Sequence, residues 1–153
     1  MAAPAPNLIA NGGFESSVTG WYGYKAGVSS VTGGAEGAKA ARIALNASAT
    51  SFSVATSPHP VTSTVAGRRY EAGAFVRSNI PGRTACLRIR EWQNGAAIGS
   101  AQSCRAAPSA WDRFTSVPYT ALGGGSIEVY AYQLNAVTGD SFDLDAVTLR
   151  VVP

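Results

Sequence analysis

Along most of this chain apolar and polar residues alternate with a period of two, in short runs broken by Gly, Pro, Asn and Ser. No stretch repeats its apolar positions at the spacing of an amphipathic helix. The pattern predicts strands over residues 51–56, 70–78, 84–93, 97–104, 112–119, 126–134 and 141–151. Residues 39–45 could form a turn of helix by propensity, but Gly37 and Asn46 bound them at strand length, and a strand is expected there too. Turn signals lie between the runs, as at Asn79-Ile80-Pro81-Gly82, Asn94-Gly95 and Gly123-Gly124-Gly125. About eight to ten short strands at near-regular spacing imply an all-β fold, an antiparallel β-sandwich of jelly-roll type.

Within residues 86–92 the alternation is clean. Leu87, Ile89 and Glu91 point one way, and Cys86, Arg88, Arg90 and Trp92 the other. If Leu87 and Ile89 face the core, Arg88, Arg90 and Trp92 form an outward stripe. Residues 127–133 admit two registers, one exposing Glu128, Tyr130 and Tyr132, the other Val129, Ala131 and Gln133. Cys86 and Cys104 flank the Asn94-Gly95 turn with their midpoint at Gly95, so antiparallel pairing sets them opposite each other and a disulfide is expected. A disulfide in turn points to an oxidising, extracellular compartment.

Composition narrows the partners. The chain has 153 residues, 46% hydrophobic and only 14% charged, with 17 Gly and 8 Pro. The charged share is well below the roughly 25% of ordinary domains, which suits a secreted protein. A net charge of +3, with the basic residues scattered and no run longer than Arg68-Arg69, argues against nucleic acid. No apolar stretch approaches membrane-spanning length. The first residues, 1–6, read as a linker or tag remnant ahead of a single domain over 7–153, and the whole as a piece of a longer secreted polypeptide. His59, the single histidine, stands between two prolines, so any histidine-based acid or base chemistry would rest on it alone.

The two ends hold a further pattern. Asn11-Gly12-Gly13-Phe14-Glu15 followed by Gly20-Trp21, and the closing Phe142-Asp143-Leu144-Asp145-Ala146-Val147-Thr148-Leu149, place carboxylates among backbone oxygens and apolar anchors. Side by side, such ends could enclose a hard cation such as calcium. With Tyr70-Glu71-Ala72-Gly73-Ala74-Phe75-Val76-Arg77 and Trp111-Asp112-Arg113-Phe114 between them, they resemble carbohydrate-binding modules of families 4, 9, 16 and 22, over nearly the whole chain.

The resemblance implies a galactose-binding-domain-like jelly roll, a structural calcium near the joined termini, and a cleft or concave sheet for a polysaccharide. It implies no catalytic machinery. Glu15 and Asp145 would supply carboxylates to the metal, with backbone carbonyls near Asn11, Gly13 and Lys39 completing the set. Ala146 departs from the family, which often carries a second Asp there. The other reading of these carboxylates is ion pairing with Lys39 or Arg150. By the same resemblance Trp21 anchors the core or the calcium loop, Tyr24 stacks on ligand, and Gln133 reaches it; Trp111 is expected in the core.

The expected ligand face is therefore Tyr24, Arg88, Arg90, Trp92, Asn94 and Gln133, with Tyr130 beside them. The reading is of a monomeric, non-catalytic module that binds polysaccharide and targets a covalently linked secreted catalytic domain, with no nucleic-acid or membrane partner. A β-glucan or xylan is the expected glycan, and the paired arginines leave open an acidic polyuronate such as alginate. The competing class is a structural or adhesive β-sandwich of a cell-surface or phage-tail protein that binds protein partners.

Overall fold

The computed structural model describes residues 3–153; of the 1–6 linker, the first two residues lie outside them. The described residues form β1 (Trp21–Tyr24), β2 (Ala26–Thr32), β3 (Lys39–Leu45), β4 (Phe52–Thr56), β5 (Arg69–Ser78), β6 (Thr84–Gln93), β7 (Ala96–Ala106), β8 (Asp112–Arg113), β9 (Val117–Thr120), β10 (Ser126–Gln133) and β11 (Ser141–Val152). They make two antiparallel sheets. The first has the order β1-β4-β10-β6-β7 and the second β2-β3-β11-β5-β8, with β9 also pairing β5. Most successive strands cross from one sheet to the other, as in a jelly roll, while β2–β3 and β6–β7 stay within a sheet as paired neighbours. No helix long and apolar enough to cross a membrane occurs among the described residues.

Alternation places the core. Phe52 and Val54 of β4, Leu87 and Ile89 of β6, and Ile127, Val129 and Ala131 of β10 face inward from the first sheet. Ile43, Ala74, Val76, Phe142, Leu144 and Leu149 meet them from the second, with Phe52 and Phe142 in contact at 5.4 Å between ring centroids. Each large side chain so buried contributes roughly 1.5–3 kcal/mol of transfer free energy.

The termini do lie side by side. Leu8 N donates to Leu149 O and Val147 N to Gly12 O, while Asn7 bridges with its amide to Val147 O and its Oδ1 from Leu149 N. Gly12 is required here, because a Cβ would stand 1.9 Å from Val147 O. Opposite it, β11 shifts register between Asp145 and Thr148, with Ala146 at φ 48°. Such a bulge re-aims neighbouring side chains.

Three expectations are corrected. Residues 21–32, outside the expected strands, form β1 and β2: Trp21 packs on Phe14 at 5.2 Å while Tyr22 and Tyr24 face solvent, and Lys25 at φ 55° turns the chain from one sheet to the other. The 112–119 segment splits into β8 and β9, because Phe114 dives into the core and its N–H goes to Ala74 O. Trp111 is outside the core. Inward packing begins only at Phe114, so the indole lies on the surface over Arg77, at 4.5 Å, and donates to Gly33 O.

The β6–β7 hairpin closes at Asn94 and Gly95, both at positive φ (51° and 76°), the two-residue type I′ geometry. Between Glu91 and Trp92 the register shifts, with β7 holding one extra residue at Ile98, and this shift sets Cys86 opposite Cys104, where the two form a disulfide. Closing a loop of this length constrains the unfolded chain by about 3 kcal/mol. The double replacement Cys86→Ala with Cys104→Ala should therefore lose about 3 kcal/mol in urea unfolding while keeping the same far-ultraviolet spectrum.

Candidate functional site

The outer face of the first sheet gathers most of the side chains expected to touch ligand. Register partners run across all five strands in two rows: Tyr22, Ala55, Tyr130, Arg88 and Gln102, then Tyr24, Ser53, Tyr132, Cys86 and Cys104. Shorter rows follow, Glu128 with Arg90 and Ser100, and Ser126 with Trp92. At the ordinary spacing of strands each full row is about 19 Å long. Tyr24, Arg88, Arg90, Tyr130 and Tyr132 line a depression of about 310 Å³, and His59, Trp92, Asn94 and Glu128 line another of about 330 Å³. Arg90, paired with Glu128, links the two.

Polar contacts knit the centre of the face. Arg90 donates to Glu128 Oε1 at 3.0 Å and its guanidinium packs against both Trp92 and Tyr130, 4.5 Å from each centroid. Trp92 Nε1 donates to the same Glu128 oxygen at 3.2 Å. Arg88 lies against Tyr132 at 4.8 Å, donates to both tyrosine hydroxyls, and donates through Nε and Nη2 to Gln102 Oε1. His59 Nδ1 is 2.7 Å from Ser126 Oγ, and its Nε2 stands 3.8 Å from Glu128. Burial pushes the Tyr130 hydroxyl above its usual pKa, against the opposing pull of both arginines.

Two aromatic rings remain open. Tyr22 and Tyr24 are 61% and 53% exposed at the β1 edge, with Lys25 Nζ 5.3 Å from the Tyr24 centroid. Trp92 and Tyr130, by contrast, are faced by Arg90, and Tyr130 is only 7% exposed, so it supports the arginines.

Gln133 is a correction. β10 takes the register that turns Glu128, Tyr130 and Tyr132 outward, which buries Gln133 completely, where its Nε2 donates to Asp140 Oδ2 at 2.8 Å. The ligand face expected from the sequence leaves out Tyr22, Gln102 and His59, and it leaves out Tyr132 and Glu128, which belong to the alternative register of residues 127–133 that the structure adopts. Gln102 was within reach, since the cysteine pairing that sets 86 opposite 104 also sets 88 opposite 102.

A second constellation lies where the termini meet. Glu15 accepts from the N–H groups of Ala38 and Lys39, and Asp145 from those of Ala35, Glu36 and Ala146. Burial, with the nearby Glu15 charge adding to it, raises the Asp145 pKa. A Cβ on Gly34 would stand 2.5 Å from Lys39 O and 2.8 Å from both Glu36 O and Asp145 Oδ2, so three oxygens converge on one point. Asn11 is directed elsewhere: its carbonyl accepts from Trp21 Nε1 and its amide donates to Ser17 O and Thr19 O. Gly13 adjoins the Glu15 side chain. Asp143 is likewise apart, paired with Arg42 and Arg77 at 2.9 and 2.8 Å.

No protein-family model matches the chain, and no curated protein sequence matches it. Its structure is nonetheless similar to solved glycan-binding modules. Against the CBM22-1 xylan-binding domain of Paenibacillus barcinonensis Xyn10C the TM-score is 0.73 at 15% identity, covering 99% of this chain and 98% of that one. Against the Clostridium thermocellum xylanase 10B CBM22-1–GH10 modules solved with xylohexaose it is 0.73 at 18% identity, covering 99% of this chain but only 29% of the longer one. A cyclase from Fischerella sp. TAU, solved with an indole compound, is also similar, with TM-score 0.71 and 15% identity over 100% of this chain and 99% of that one. The carbohydrate-binding-module resemblance thus extends to the jelly-roll fold.

Behind the face, Glu91 is wholly buried. Its carboxylate accepts from Thr64 Oγ1 at 2.5 Å, the Tyr119 hydroxyl at 2.7 Å, and the N–H groups of Leu122 and Gly123 at 2.8 and 3.1 Å. Burial pushes its pKa up, but the four hydrogen bonds, led by Thr64, outweigh burial and hold it below the usual carboxylate value. That stabilisation is present above the ordinary glutamate pKa and is lost as pH falls through the lower folded value. Glu91→Gln should cost roughly 2–4 kcal/mol in urea unfolding at pH 7, because an amide cannot accept from all four donors. The difference from the native protein should shrink as pH falls below the ordinary glutamate range and the native carboxylate becomes protonated.

Proposed function

We propose that this chain is a non-catalytic polysaccharide-binding module of a secreted protein, which holds an attached enzyme at its glycan. The observation that carries this reading is the pair Tyr22 and Tyr24, open aromatic platforms beside a bonded field of arginine, glutamate and glutamine. Sugar rings present an apolar face to an aromatic ring and hydroxyls to such polar groups. Similarity to xylan-binding domains supports a β-linked chain, and the disulfide supports export.

Affinity electrophoresis against β-glucan, xylan and polyuronate gels should retard the native protein. Tyr22→Ala and Tyr24→Ala should each weaken binding about tenfold, the scale of one lost aromatic contact. Free migration through every glycan would refute the module and favour the adhesive reading with protein partners.

A calcium ion is proposed at the joined termini. Glu15 and Asp145 would hold it together with the Lys39 and Glu36 carbonyls, and the convergence of oxygens beside Gly34 fits a hard cation. Its contribution would be structural, offsetting the repulsion between two carboxylates and tying β11 to the N-terminal segment. Raising free calcium to a hundred times its Kd should stabilise the protein by about 2.7 kcal/mol, and chelation should reverse it. Asp145→Asn should abolish that response in thermal melts; a native melt indifferent to chelator would exclude the ion.

A further inference from the structure

We infer that the polysaccharide carries carboxylates, and that Arg88 is the group that reads them. The inference rests on the glycan-binding reading above and specifies its ligand. The described charged side chains on the outer face are Lys25, Arg88, Arg90 and Glu128, with His59 alongside. Glu128 is engaged by Arg90 and Trp92, and it closes that part of the face electrically.

Arg88 has no such partner. Among the described residues no carboxylate lies within 4.0 Å of it, and every acceptor it meets is neutral: Gln102 Oε1 and the hydroxyls of Tyr130 and Tyr132. These bonds orient the guanidinium without cancelling its charge. Each of the other arginine–carboxylate pairs of this molecule, such as Arg42 and Arg77 with Asp143, shows the contrast.

The orientation is the informative part. The Nε–Nη2 edge of Arg88 points both its donors at the single oxygen of Gln102, an exposed side chain on the edge strand β7. That edge matches the two oxygens of a carboxylate, and charge-assisted bonds of this kind are about twice as strong as neutral ones. A uronate arriving from solvent can take the place of the Gln102 amide, accepting from Nε and Nη2 of Arg88 and from the Tyr132 hydroxyl that now donates to Gln102 Oε1, while Tyr130 still holds Nη1 on the other side of the guanidinium. A neutral glycan offers Arg88 only hydroxyls, no better than the acceptors it already has.

Calorimetric titration at about 0.15 M salt, where weak long-range attraction is screened, tests this. Mannuronate-rich alginate and glucuronoxylan, acidic in the backbone and in the branches respectively, are each compared with the same chain after methyl esterification or reduction of its carboxyl groups. At least one acidic form should bind ten or more times tighter than its neutral counterpart, and which one does so locates the uronate. Arg88→Gln should erase the preference, whereas Arg69→Gln, which removes an equal charge from the second sheet, should keep it.

Equal affinity for acidic and neutral forms would overturn the inference and leave the glycan-binding reading standing. Binding to no glycan at all would defeat that reading itself. Equal losses in the two arginine variants would reduce the preference to net charge and also overturn the inference. The comparison of acidic with neutral chains uses the native protein, so it decides the matter even if Arg88→Gln folds poorly.

Discussion

The pairing register of the β6–β7 hairpin is the constraint on which the rest of the binding face depends. Side chains of a strand alternate, so a slip of one residue would carry Arg88, Arg90 and Trp92 into the core and push Leu87 and Ile89 into water. Three features act together against that slip. Asn94 and Gly95 adopt the positive φ of a type I′ turn, Cys86 is bonded across to Cys104, and Leu87, Ile89 and Glu91 are fully buried on the inner side. Glu91 adds specificity that hydrophobic residues cannot. Its carboxylate must meet the donors of Thr64, Tyr119, Leu122 and Gly123, and it does so in one register only.

From that hairpin the face spreads by cross-strand pairing, and this explains how much of it could be read from the sequence. The outward stripe and the strand lengths of β5 and β6 follow from alternation and turn chemistry alone, whereas the Cys86–Cys104 pairing also needs the extra β7 residue Ile98, since the two-residue turn by itself would set Cys86 opposite Ser103. The register of β10 does not, because Glu128, Tyr130 and Tyr132 look as suited to the inside as Val129, Ala131 and Gln133. Family resemblance favoured Gln133 outward. Opposite charges facing each other across strands favour the other answer, with Glu128 beside Arg90 and Gln133 turned in to Asp140. The bulge at Ala146, which re-aims Asp145 beside Glu15, leaves no pattern in the sequence because Ala seldom adopts φ 48°. β1 and β2 were hidden by the same kind of gap: their glycines and serines weaken the alternation that reveals the other strands.

The way the arginines lie on the aromatic rings has a consequence for binding. A free arginine or tyrosine side chain on a sheet surface must be immobilised when a ligand docks, at roughly 0.5–1.5 kcal/mol each. Here Arg90 is held between Trp92 and Tyr130 and tied to Glu128, and Arg88 is held by two tyrosines and Gln102 before any ligand arrives. The centre of the face is preorganised. The same packing takes the faces of Trp92 and Tyr130 away from the ligand, so stacking must shift to the rim, to Tyr22 and Tyr24. Under the proposed glycan-binding reading, recognition is divided between an ordered polar centre that selects chemistry and an exposed aromatic edge that contributes contact area. Tyr130, buried and unable to stack, still has a part in that centre, because its hydroxyl accepts from Arg88 while its ring packs against Arg90, so one side chain joins the two guanidinium groups.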